Sequence, residues 1–106
     1  MFVCVNNYKP VSADKLRVNI MRGSPFGNPF PIGAKFGDRE AVIALFVKHM
    51  DAALAAKKGV LYDNLKALYS FAKANPEMVI ELGCCCKPAH CHGDEIAKML
   101  NAKLTH

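Results

Sequence analysis

The chain has 106 residues, 14 Lys and Arg against 9 Asp and Glu for a formal charge of +5, 52% hydrophobic and 22% charged residues. These values suit one soluble domain over residues 1–106 and are far from the profile of a disordered or membrane chain. No apolar run approaches the ~20 residues that cross a bilayer, and the first residues lack the pattern of a secretory signal, so no membrane association is expected.

The cationic excess is spread out, with only Lys57 and Lys58 adjacent, which reads as a solvated surface rather than a nucleic-acid stripe. Of the five cysteines, four crowd into Cys84–Cys91 and cannot form a disulfide framework. A reducing, cytoplasmic setting is expected.

In chain order, Phe2–Asn6 is short, apolar and rich in strand-forming residues. Pro10, Ser12 and Asp14 mark a turn. Leu16–Met21 follows as a second strand, with Leu16, Val18 and Ile20 on one face. From Gly23 to Gly33, the prolines at 25, 29 and 31 and glycines at 23, 27 and 33 exclude a regular helix or central strand and set a loop. Asp38 then caps a helix whose Val42, Leu45, Phe46, Met50, Ala53 and Leu54 share one stripe, with His49 at its edge. After a break at Gly59, Leu61, Leu65, Leu68, Tyr69 and Ala72 outline a second helix, which Asn75-Pro76 ends. Met78–Leu82 is a third strand. Ile96, Met99, Leu100 and Leu104 give a last helix, with Asp94 and Glu95 in its first turn and Lys98 and Lys103 later, as the helix dipole prefers.

Strands separated by helices imply an α/β fold: a small, at least partly parallel sheet of about three strands, flanked by about three helices in two or three layers. In such sheets ligands gather beyond the carboxyl ends of the strands. Both unusual loops directly follow a strand, so the fold should set them side by side.

The segment Cys84-Cys85-Cys86-Lys87-Pro88-Ala89-His90-Cys91-His92-Gly93-Asp94 is dense in ionisable groups. Alternation past Leu82 sends Cys84 and Cys86 to one side and Cys85 to the other. One reading is a zinc site of Cys84, Cys86, Cys91 and either His90 or His92, although the spacing is unlike the usual paired knuckles. A second reading starts a helix at Cys91-His92-Gly93-Asp94, where backbone N–H groups favour a Cys91 thiolate or an anion. His92 is then a candidate general acid or base, and Asp94 caps the helix or orients the imidazole. Cys85 and Cys4 suit the role of small apolar fillers.

Arg22 at the end of a strand can grip a carboxylate or phosphate with its fork. Ser24 and Asn28 add neutral hydrogen-bonding groups, while Gly23 and Gly27 let the backbone come close to a ligand. Phe26 and Phe30 either stack on a base or pack on the core. Arg39 at a helix start, where the dipole disfavours a cation, points to an anionic partner or to solvent. The loop has neither the glycine spacing nor the lysine of the familiar phosphate loops.

Arg22-Gly23-Ser24-Pro25-Phe26-Gly27-Asn28-Pro29-Phe30, the helix start Gly37-Asp38-Arg39-Glu40 and the cysteine segment together resemble an uncharacterised family of small phage and bacterial proteins, domain of unknown function 4326. The resemblance runs from about Val18 onward. Where the family pattern has a large aromatic between the first two cysteines of the second motif, this chain has Cys85. A strand leading into a cysteine-rich turn and a Cys-His helix start is also similar to another uncharacterised, Rossmann-like family, which supports the fold and supplies no reaction.

The leading expectation is therefore a nucleotide- or nucleoside-binding protein, with an enzyme acting on that small anionic ligand left open. Arg22, Gly23, Ser24, Gly27, Asn28 and Arg39 would bind, and Cys91, His92 and Asp94 would lie nearest the chemistry. The alternative is a non-enzymatic, zinc-stabilised module, held by Cys84, Cys86, Cys91 and His92, that binds a host protein or nucleic acid.

Overall fold

The computed structural model describes residues 1–105. The elements run β1 (Phe2–Asn6), β2 (Lys15–Asn19), α1 (Arg39–Ala56), α2 (Val60–Ala74), β3 (Val79–Cys84) and α3 (His92–Leu104). All three strands are parallel, in the order β1-β3-β2. The expected α/β architecture is present, with the last strand at its centre.

Register follows from which residues must be buried. Phe2 and Leu16 both lie opposite Ile80, and Cys4 and Val18 both lie opposite Leu82. These residues, with Cys84 and Ile20, share the face on which the helices pack, except that Leu16 on the edge strand stays exposed; Ile20, Ile80 and Leu82 are fully buried there. Helix α3 lies against β1 and β3, and α1 and α2 pack on it and on each other. Asn101 of α3 also completes the edge of β1, accepting from the Phe2 amide at 2.8 Å and donating to its carbonyl at 2.9 Å.

The opposite face carries Val3, Arg17, Glu81 and Gly83 and is crossed by the segment joining β1 to β2. Parallel connections usually need a helix, and here an irregular segment is held down instead. Arg17 donates to Glu81 Oε1 through Nε (3.1 Å) and Nη2 (2.8 Å). It also donates to the carbonyls of Asn7 (3.2 Å), Pro10 (3.4 Å) and Lys9. Gly83 leaves room for this crossing, since a Cβ there would stand 2.1 Å from Asn7 Oδ1.

Two strand ends and one core position differ from expectation. β3 continues past Leu82 to Cys84 because Gly83 and Cys84 are paired with Val5 and Asn6. β2 ends at Asn19, and Ile20 enters the core just beyond it while its amide donates to the Gly83 carbonyl at 3.0 Å. In α1 it is Ile43, not Leu45, that is buried beside Val42, Phe46 and Met50. Asp38 caps α1 as expected, accepting from the Ala41 amide at 2.9 Å. Among the described residues, no helix is long and apolar enough to cross a membrane.

Candidate functional site

Beyond the carboxyl ends of β2 and β3, the two unusual loops meet across a cleft of about 200 Å³. Its walls include Arg22, Phe30, Arg39, Cys85, Cys86 and His90. Among the described residues no aspartate or glutamate lines it.

The loop after β2 folds back tightly. The Ser24 amide and hydroxyl both donate to the Met21 carbonyl (3.0 and 2.7 Å), and the Gly27 amide donates to the Ser24 carbonyl at 3.1 Å. A side chain at 27 would drive a Cβ to 2.8 Å from Arg22 Cα. Gly23 has a φ of +97°, a conformation that favours glycine. Gly23, Ser24 and Gly27 thus shape the turn and lie outside the cleft lining. Asn28 does line it, but its amide is used internally: Nδ2 donates to the Val42 carbonyl at 3.1 Å and Oδ1 accepts from the Phe30 amide at 3.0 Å. Phe26 is buried in the core, while Phe30 packs edge-on against Phe36 and His49 and faces the cleft.

The two arginines keep donors to spare. Arg22 makes one long contact, Nε to the Asn28 carbonyl at 3.4 Å, and Arg39 makes one, Nη1 to the His90 carbonyl at 3.5 Å. His90 bridges two helix starts: Nδ1 lies 2.9 Å from Glu40 Oε2 and Nε2 lies 3.2 Å from Glu95 Oε2. The Glu40 contact, then that with Glu95, raises the His90 pKa above the ordinary histidine value.

The three residues expected nearest the chemistry all hold the start of α3. His92 is buried, its Nε2 donating to the carbonyls of Ile20 and Phe26, each at 3.0 Å, with its ring edge-on to Phe46 at 4.9 Å. Asp94 Oδ2 accepts from the Cys91 amide at 2.9 Å in a capping box, and Oδ1 pairs with Lys87 Nζ at 2.5 Å. Cys91, the N-cap residue, is 1% exposed. A hydrogen bond with Cys4 and burial push its thiol up to about 11. Unliganded Cys91 is therefore a protonated cap at neutral pH, where a helix start was expected to favour a thiolate; the Cys4 contact first, and burial second, favour the neutral thiol.

The thiols do not group as alternation suggested. β3 ends at Cys84 and the chain turns before Cys86, whose sulfur is not part of the close thiol group. Instead Cys4, Cys84 and Cys91 place their sulfurs within 4.8 Å of one another, with Cys4 and Cys84 at 3.5 Å. Such a group can hold a metal ion. Cys4 was expected to be a filler; its period-2 phase with Phe2 marked an inward position, but only the pairing of β1 with β3 brings it beside Cys84. Gly93 permits the approach of α3, since a Cβ there would lie 2.4 Å from Ile20 Cδ1 and 2.6 Å from Cys4 Sγ.

All five cysteines are free. Timed alkylation of the metal-free protein, followed by peptide mass spectrometry, is expected to label exposed Cys85 first and half-buried Cys86 more slowly. Cys84 and Cys91 should react only as the fold opens, and rapid labelling of Cys91 would contradict its burial.

In comparisons with known proteins, a family model described as domain of unknown function (DUF4326) matches residues 4–102. An uncharacterized 12.4 kDa protein in the nrdA-td intergenic region of Enterobacteria phage T4 is 39% identical over 97 residues, covering 92% of this chain and 75% of that protein. No solved structure matches the chain.

Proposed function

The chain belongs to the phage and bacterial family of domain of unknown function DUF4326, a membership that brings no reaction with it, and from the cleft itself we propose that the protein binds a small anionic ligand of the nucleotide or nucleoside class. The observation that carries this reading is that Arg22 and Arg39, from two separate segments, face one cleft that no aspartate or glutamate among the described residues lines. Two guanidinium forks with free donors suit a phosphate, which they can hold in bidentate fashion. Phe30 supplies an apolar wall on which a base can rest. A volume of about 200 Å³ is below the ~300–1,000 Å³ usual for larger ligands and points to a mononucleotide or smaller.

The position at strand carboxyl ends agrees with the general rule for parallel α/β sheets and with the Rossmann-like reading of the sequence. Cys91, His92 and Asp94 are assigned here to holding the α3 start that frames the cleft. The free thiols suit a reducing cytoplasm, the setting this reading requires.

A titration of the full chain with nucleosides and mononucleotides, followed by calorimetry or NMR, tests the proposal. Arg22→Ala and Arg39→Ala should each weaken the best ligand about 10-fold or more, as expected for hydrogen bonds to charged groups worth about 1.5–3 kcal/mol. If none of these compounds binds, or if binding ignores both substitutions, the reading is overturned. A second reading, a zinc-stabilised module whose partner is a host protein or nucleic acid, draws on a different observation, the convergence of Cys4, Cys84 and Cys91.

A further inference from the structure

Three chain segments meet at the thiol group: Cys4 from β1, Cys84 from the end of β3 and Cys91 from the cap of α3. Packing alone would ask only for small apolar side chains at these points. The closeness of Cys4 and Cys84 is not that of a disulfide about to form. They lie on adjacent strands two positions out of register, Cys4 facing Leu82, a diagonal that puts Cα atoms about 7–8 Å apart. That exceeds the reach of a disulfide without backbone movement.

The spacing does suit a metal. An ion bonded to sulfurs at about 2.3 Å in a tetrahedral arrangement holds them about 3.8 Å apart, within the 4.8 Å that encloses all three. The nearest imidazole is already oriented. Because Nε2 of His92 donates to the Ile20 and Phe26 carbonyls, Nδ1 carries the free lone pair; it lies 3.5 Å from Cys91 Sγ, at the margin of the three-sulfur group and outside it, so a small shift of the ring brings it to the ion. Metal-bound histidines characteristically hold their other ring N–H on such an oxygen.

The surroundings favour the negative charge that bound thiolates bring. The Gly93 amide donates to Cys91 Sγ at 3.5 Å, and the sulfur sits at the positive end of α3. Lys87 stands with Cys4 along a second cavity, while Cys84 and Cys91 line the cleft. An ion can therefore arrive from either side of the thiol group.

We propose that Cys4, Cys84 and Cys91, with Nδ1 of His92 as fourth donor, bind one zinc ion that ties β1, the end of β3 and the start of α3 together. Each thiol releases its proton to solvent as its zinc–sulfur bond forms, and His92 binds as the neutral ring. Three thiolates leave a divalent ion with a net charge of only −1, against −2 for a monovalent one, and an imidazole completes the four-donor set that zinc prefers. Cys84 and Cys91 share a wall of the cleft with Arg22 and Arg39, but the zinc site uses other donors and stands whether or not a nucleotide binds there.

The experiment uses the full chain without a histidine tag, stripped with a chelator under nitrogen and titrated with zinc alone against a chromophoric competitor. One zinc per chain is expected, and cobalt(II) in its place should show thiolate charge-transfer and tetrahedral d–d bands. Cys4→Ser is decisive, because the sequence by itself would have chosen Cys86: it should weaken zinc at least 10-fold, while Cys86→Ser leaves affinity unchanged. Zinc should also protect Cys4, Cys84 and Cys91 of the unaltered protein from alkylation on partial unfolding, a readout that requires no variant to fold. The proposal is overturned if Cys4→Ser binds zinc as tightly as the parent, if Cys86→Ser loses it, or if zinc gives those three thiols no protection.

Discussion

Glu81→Ala is expected to destabilise the protein by about 3–5 kcal/mol, the usual effect of removing one partner from a buried ion pair. The side chains of Arg17 and Glu81 are only 8% and 11% exposed, and their contact is 2.8 Å. Without Glu81 the guanidinium remains in the same low-dielectric place with carbonyls as its only partners. Since small domains are stable by about 5–15 kcal/mol in total, this one change can remove much of the margin. Equilibrium urea unfolding should show a lower midpoint, and thermal melting should fall by at least about 12 °C.

A control separates the pair from its setting. Arg17→Met with Glu81→Leu leaves no unpaired charge and should cost less than Glu81→Ala alone. Some loss should persist, because the carbonyls of Asn7 and Lys9 lose their donor. A Glu81→Ala midpoint shift equivalent to under ~1 kcal/mol would mean that the ion pair does not anchor the β1 to β2 crossing.

Phe46→Ala should cost a similar amount, about 3–5 kcal/mol, through lost apolar burial and the cavity left behind. Phe46 is 0% exposed in the middle of α1, and its ring is the edge-on partner of His92 at 4.9 Å. Its neighbours Val42 and Ile43 form part of the cleft wall. The substitution should therefore loosen α1 from the start of α3 as well as lower stability. Phe46→Leu retains most of the volume and should lose much less. Urea unfolding gives the magnitude, and the NMR signals of the His92 ring report the local change. If alanine and leucine cost the same, the packing assigned to this ring is wrong.

The local elements were legible because they rest on local physics. The three and four spacing of Leu61, Leu65, Leu68 and Ala72 can be buried only by a helix, and all four are buried in α2. Asp38 caps α1 because a carboxylate oxygen there meets an orphan amide three residues on. The prolines and glycines from 23 to 33 permitted nothing regular. The meeting of that loop with the cysteine segment was also foreseeable, since each follows a strand and parallel strands end on one side of the sheet.

What stayed hidden depended on strand order. Period-2 alternation states which residues share a face but not which strand lies beside which. With β3 between β1 and β2, Cys4 comes within 3.5 Å of Cys84, and Arg17 meets Glu81 across strands far apart in sequence. The same packing seats His90 between Glu40 and Glu95, and His92 beneath the carbonyls of Ile20 and Phe26. The sequence by itself determined the helices, the shaped loop and the end of the sheet where the cleft lies. The tertiary structure decided the donors, charges and thiols that meet there, because long-range parallel pairing, unlike a helix or a turn, leaves no signature in any short stretch of chain.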